Sequence, residues 1–210
     1  MKNLLPEKEY GILKKINTPV KIQDFLDQLK INFEPEGDTV YSPLTVLKKR
    51  VCHCVEAAIL AALALRVNGQ PPLLLDLTAN RNDFDHVVAL FKKSGKWGAI
   101  SKTNHAALRY REPIYNSPRE LAMSYFHEYL DDQGRKNLRS FSPPVNLKRF
   151  DKQGWMTTTE EVDYIPEYLV RVKHFSILTK NQIRNLRQAD PIEVKVGKIV
   201  EWKKTGKFIG

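Results

Sequence analysis

The sequence predicts an α+β fold in which a buried helix packs on an antiparallel sheet. Three observations carry this. Residues 54–67, CVEAAILAALALRV, are apolar on almost every side, the pattern of a helix enclosed within a domain rather than lying on its surface. Three short apolar runs follow, PLLLDL, HVVALF and KWGAIS, with the lengths and residue types of strands. The second and third are joined by KKSG, a hairpin connection, which makes their pairing antiparallel.

The other elements follow in chain order. TPVKIQDFLDQL reads as a helix with Thr18 as N-cap, Pro19 at the first helical position, and Ile22, Phe25, Leu26 and Leu29 on one face. FEPEGDTVYSP is rich in charge and turn residues and reads as a loop, and SPLTVLKKR as a short helix ahead of Cys52. Asn68 and Gly69 supply the stop of the buried helix. Beyond the strands, SPRELAMSYFHEYL has a serine cap, Pro118 at the first helical position and Glu120 in the first turn. KNLRSFSPPVNLKRF reads as extended and loop-like, TTEEVDYIPEYLVRVKHFSIL as helix interrupted by Pro166, and VKVGKIVEWKK as a terminal strand pair.

A chain of 210 residues has the mass to bury a core without disulfides. We divide it into a core with N-terminal helices, 1–134, and a basic C-terminal extension packed on that core, 135–210. The charge motivates the division: 135–210 hold 16 Lys+Arg against 8 Asp+Glu, whereas 1–134 hold 18 against 16. A basic third of this kind is either a surface for nucleic acid or another polyanion, or a solvated face; no nucleic-acid motif accompanies it, which favours the solvated face. Cys52 and Cys54 are too close for an unstrained disulfide, as expected in a reducing compartment. The opening MKNLLPEKEYGILKK lacks the apolar stretch of a signal peptide. The longest apolar run, Ala57 to Leu65, falls far short of the roughly 20 residues that span a bilayer. The expectation is a cytoplasmic protein with no membrane partner.

The chemistry centres on Cys54 and His86. A thiol is reactive as the thiolate, and both a helix N-terminus and a neighbouring imidazole lower its pKa. Cys54 opens the buried helix and His86 opens a strand, so the fold can bring them together. The triplet Cys52-His53-Cys54 raises zinc as an alternative, but closed zinc sites need wider cysteine spacing and further ligands, and the chain has no second cysteine pair. Neither a metal nor a cofactor is expected. His105 and His127 have no partners in the sequence and read as structural, although SKTNHAALRYREP is dense in donors and is a candidate cleft lining. Trp97 reads as core, and Glu56 as complementing the helix dipole.

Residues 50–105 resemble the transglutaminase-like cysteine enzyme superfamily. The match is carried by Cys54 followed by Glu56 and Ala58, then Arg66 with Gly69 at the helix end, His86 opening a strand, and Trp97. The close spacing of SKTNHAALRYREPIY and SYFHEYL suggests a distinct bacterial branch of that superfamily. The resemblance implies a papain-like core, a nucleophilic Cys54, and a protease, amidase or acyltransferase using His86 on a peptide or protein amide. It departs from the family at two positions: Cys52 replaces the glycine usual two residues before the nucleophile, and Ser101 stands where the orienting aspartate is expected, four residues after Trp97.

A serine hydroxyl fixes an imidazole tautomer but stabilises an imidazolium only weakly. Asp76 and Asp83 remain alternative acids, whereas Asp85, adjacent to His86 on a strand, points to the other face. The catalytic candidates are therefore Cys54, His86 and Ser101, with the Cys54 N–H as an oxyanion donor. The competing reading is a degenerate member that binds peptide or a polyanion and no longer turns over.

Overall fold

The structure, a computed structural model, describes residues 4–35 and 37–203. The first three residues of the opening segment, one residue of the loop before Tyr41, and the last residue of VKVGKIVEWKK lie outside the described residues. The chain runs α1 (Glu7–Lys15), α2 (Pro19–Asp27), β1 (Lys30–Ile31), α3 (Pro43–Lys49), β2 (Val51–Cys52), α4 (Cys54–Val67), β3 (Leu73–Ala79), β4 (His86–Lys93), β5 (Lys96–Ile100), β6 (Arg111–Tyr115) and α5 (Pro118–Ser124). It continues through β7 (Leu138–Phe141), β8 (Val145–Asn146), a 3-10 helix (Leu147–Gln153), α6 (Tyr164–Arg171), β9 (Phe175–Ser176), α7 (Lys180–Arg184) and α8 (Pro191–Gly197).

The main sheet has the order β6-β5-β4-β3-β7-β9, antiparallel throughout, with β8 pairing the start of β3. β1 and β2 form a separate two-residue parallel pair. The fold is thus α+β with a mostly antiparallel sheet. The residues after 135 supply β7, β8 and β9 of that same sheet, and Phe150, Trp155, Val162, Ile165 and Leu169 of its core.

Both faces of the sheet are covered. Leu74, Val87, Ala89, Phe91 and Ile100 pack toward α4, whose residues from Ala57 to Leu65 are all buried. Leu75, Leu77, Val88, Leu90 and Ala99 pack on the other side with Leu121, Tyr125 and Phe126. Burial on both faces explains why PLLLDL and HVVALF are continuously apolar although their strands are antiparallel, which more often alternate. Burying one such leucine contributes about 1.5–3 kcal/mol, so α4 is fixed in place by apolar burial on all sides.

Caps act where the sequence puts them. Thr18 accepts from Lys21 N at 3.2 Å, Ser42 from Thr45 N at 3.2 Å and Ser117 from Glu120 N at 3.1 Å, each with proline next in the chain. Arg66 closes α4 with a bidentate pair to Asp151 at 2.5 and 2.7 Å, and Trp155 Nε1 donates to the same carboxylate. Two expectations are corrected. Pro166 does not interrupt α6 but occupies its first turn, where its missing N–H has no intrahelical acceptor to lose. VKVGKIVEWKK is not a strand pair: Asp190 and Glu193 form a capping box that starts α8, and only Val200 makes a bridge, to His105. No helix among the described residues is long and apolar enough to cross a membrane.

Candidate active site

Cys54 is the first residue of α4, and His53 before it is the N-cap. A helix N-terminus carries partial positive charge, and its first N–H groups have no intrahelical acceptor. The Cys54 N–H is one of these, so Sγ and a free donor sit at the same end of the helix. Cys52, two residues earlier in β2, belongs to the core and is fully buried, whereas Cys54 lines a cleft. The two thiols therefore belong to different environments. Burial pushes Cys52 up to about 12, which keeps it an inert thiol. Burial also raises Cys54, but hydrogen bonds from His53 and then His86, with the charge of both rings, outweigh it and bring the thiol down to about 5.

His86 reaches the thiol because β4 begins at the level of the α4 N-terminus. β4 pairs with β5 at Ala89↔Ile100, and one more step of that register sets Ser101 opposite Val88, two residues from His86 on the same face. His86 Nε2 lies 2.8 Å from Ser101 Oγ. The hydroxyl proton of Ser101 goes to Leu108 O at 2.5 Å, so its lone pair is what faces the ring. The ring therefore donates through Nε2–H, and Nδ1 is left for Cys54. Gln23 holds Ser101 from the other side: its Nε2 donates to Ser101 O at 2.8 Å and its Oε1 accepts from Ser101 N at 3.0 Å.

The alternative acids are engaged elsewhere. Asp76 pairs with His174 Nε2 at 3.0 Å, and this hydrogen bond raises the His174 pKa despite burial. Asp83 accepts from Asn137 Nδ2 and from Phe84 N. Asp85 accepts from Ala79 N at 2.8 Å, and burial raises its pKa. Trp97 does not line the cleft but stacks under Lys92, whose Nζ is 4.2 Å from the ring centroid. His127 packs edge-on against Phe126, and His105 Nδ1 bonds Gly197 O at 2.8 Å.

Sequence reasoning missed the network on the other side of the thiol. Glu56 is fully buried, and its carboxylate accepts from His53 N and Tyr41 N at 2.9 Å, Thr39 Oγ1 at 3.1 Å and Asn32 Nδ2 at 3.2 Å. His53 Nε2 donates to Thr39 O at 2.8 Å, with Glu34 Oε1 at 3.4 Å and Glu56 Oε1 at 3.6 Å. The signal was present in the spacing His53-x-x-Glu56, a capping box with an unusual histidine cap. It also missed Gln23, which no local pattern connects to a residue 78 positions later.

The cleft encloses about 540 Å³. Cys54 and His86 form its floor with the buried Lys102, whose ammonium donates to Leu29 O at 2.7 Å. Burial lowers the Lys102 pKa. Phe84, 90% exposed, stands at the rim and is fixed from below, because the Tyr129 hydroxyl donates to its carbonyl. Thr103, Asn104, His105, Ala107 and Leu108 supply one wall, so the donor-rich segment does line a cleft, and Val194, Gly197 and Lys198 continue that wall from the C-terminal segment. Asn104 holds the segment at both ends of Trp202, accepting from its N–H and donating to its carbonyl. No family model and no curated protein matches this chain.

Proposed function

We propose that this chain is a cysteine-dependent hydrolase or acyltransferase of the transglutaminase-like kind, with a papain-like pairing of nucleophile helix and sheet, acting on an amide-type bond of a peptide or protein. The observation that carries this reading is Cys54 at a helix N-terminus, beside an open cleft, with its thiol brought down to about 5 between two imidazoles. An inert structural cysteine has no such surroundings; Cys52 supplies the contrast two residues away.

The chemistry follows from the geometry. The Cys54 thiolate attacks the carbonyl carbon, the π electrons move to oxygen, and the Cys54 N–H donates to that oxygen. Collapse breaks the C–N bond, and the leaving nitrogen takes a proton from Nδ1 of protonated His86. Water or an amine then gives a proton back to Nδ1 as it attacks the acyl carbon, and the C–S bond breaks to restore the thiolate. Ser101 keeps Nδ1 directed at the sulfur through both steps. A polyanion does not suit this cleft, whose lining includes Asp83, Asp85, Glu128, Asp131 and Asp132, even though the chain as a whole carries a net +10. A persistent thiolate suits a reducing compartment such as the cytoplasm.

The test is acylation of the protein by an activated thioester, followed by intact mass and peptide mapping. The expected result is one acyl group on Cys54, none in Cys54→Ser, and turnover lowered about 100-fold or more in His86→Ala. A wild-type thiol that stays unacylated while the denatured protein reacts would sink the proposal.

A further inference from the structure

The site has a departure from a simple Cys-His-acid arrangement: the acid is missing beside His86 but two carboxylates are present on the opposite side of the thiol, behind a second ring. We propose that His53 is a second imidazole of the site, held by Glu34 and Glu56, and that it carries the positive charge that keeps Cys54 a thiolate. This inference rests on the reading of Cys54 as the nucleophile.

Four observations support it. His53 is next to Cys54 in the chain, caps the helix that Cys54 begins, and lines the same cleft. Its outer nitrogen is committed, because Nε2–H donates to Thr39 O at 2.8 Å. The inner nitrogen, Nδ1, lies 3.3 Å from Val55 N and is the atom available to the thiol. Behind the ring stand Glu34 Oε1 and Glu56 Oε1 at 3.4 and 3.6 Å, each fixed independently: Glu34 accepts from Thr39 N at 2.9 Å, and Glu56 is surrounded by donors.

The two protonation states of the ring make different contacts. Neutral, Nδ1 offers a lone pair and accepts from Val55 N–H, serving only as a helix cap. Protonated, Nδ1 becomes a donor and its proton turns to Cys54 Sγ. A cap alone does not call for histidine, since Ser, Thr, Asp and Asn are the residues that fill this position best. Burial opposes charging the ring, but the hydrogen bond to Cys54, its thiolate and Glu56 outweigh that and raise His53 to about 9. Of the other charged groups here, Lys102 turns its ammonium to Leu29 O, His86 approaches the sulfur from the sheet, and Asp85, whose carboxylate accepts from Ala79 N, supplies no positive charge.

A division of labour results. His86, steered by Ser101, moves the proton between the leaving and entering groups. His53 remains on the other side of the sulfur and favours its charged form in the resting enzyme, a role that the serine beside His86 cannot fill.

The experiment is the rate of Cys54 alkylation by iodoacetamide between pH 4 and 10, in wild type, His53→Asn, His86→Ala and the double variant. Asparagine keeps a cap acceptor and removes the charge. We expect the wild-type rate to inflect near 5, and the His53→Asn inflection to move up by at least about one pH unit, the equivalent of roughly tenfold in thiolate fraction below the inflection. The shift should exceed that in His86→Ala. A His53→Asn inflection that coincides with wild type overturns the inference and leaves the catalytic reading standing. An ordinary wild-type thiol sinks both. Should His53→Asn not fold, ¹³C-labelled histidine in the wild-type protein answers the question: the His53 ring should remain charged to about pH 9 with the thiol free and titrate lower once Cys54 is carbamidomethylated. A ring already neutral at pH 7 with the thiol free overturns the inference.

Discussion

His86 donates to a hydroxyl that has already given its own proton away. Ser101 Oγ is 2.8 Å from His86 Nε2 and 2.5 Å from Leu108 O, so the carbonyl of Leu108 determines which lone pair the ring meets. Ser101→Ala removes the acceptor and frees the ring to rotate or change tautomer. We expect kcat to fall about tenfold, the equivalent of one lost hydrogen bond of about 1.4 kcal/mol, with little change in KM. Ser101→Asp should not restore a strong acid, because a carboxylate has no proton for Leu108 O. Single-turnover acylation by a thioester measures both variants; an aspartate variant faster than wild type would contradict this geometry.

The pH dependence of stability at this site has a sign that Cys54 and His53 fix together. Cys54 is depressed from 9.0 to about 5, so its contribution is complete above 9.0 and is lost as pH falls through 5. His53 is raised from 6.5 to about 9, so its contribution is complete below 6.5 and is lost as pH rises through 9. Between 5 and 6.5 only the thiol changes, and stability rises with pH by up to about 1.4 kcal/mol per unit. Above 6.5 the two slopes oppose. Denaturant titrations of wild type and Cys54→Ser should therefore diverge from pH 5 upward, and the wild-type curve should level off above 6.5.

Thiol accessibility should separate the two cysteines cleanly. In native protein at pH 7, brief iodoacetamide treatment is expected to add one carbamidomethyl group, mapped to Cys54, and denaturation is expected to release the second site at Cys52. Two additions in the native state would mean that the β2 core opens readily.

Gly98 is expected to tolerate no side chain. A Cβ there would lie 2.8 Å from Arg111 O on β6 and closer still to the Phe91 ring on β4. Gly98→Ala should cost about 1–3 kcal/mol by overpacking, read as a fall in Tm. Because β5 leads into Ser101, thioester turnover should fall further than the loss of folded protein accounts for.

How much of this was legible in the sequence depends on the range over which each signal acts. The caps at Thr18 and Ser117 and the apolar wrap of α4 are local or periodic, and they read directly from residue type. Ser101 was reached through the resemblance, as the residue four after Trp97, and the register of β4 with β5 is what sets it beside His86. Gln23 and Glu34 act through partners brought near by tertiary folding, and nothing in their neighbourhoods marks them, whereas Asn104 and Leu108 fall in the donor-dense segment singled out as a cleft lining, and only their individual partners were hidden. α8 was misread because VKVGKIV alternates like a strand, while the capping box immediately before it, Asp190 to Glu193, decided for helix. Pro166 misled in the opposite way: a proline marks a break only after the first turn is complete.

Order of synthesis gives the C-terminal wall a further meaning. Cys54, His86 and Ser101 all emerge from the ribosome before residue 102, whereas Val194, Gly197 and Lys198, which confine one side of their cleft, come nearly a hundred residues later. During that interval the nascent chain already carries the thiol, but the wall that will restrict access to it has not been made. A protein built in this order receives its thiol and imidazole first and the wall that encloses them last.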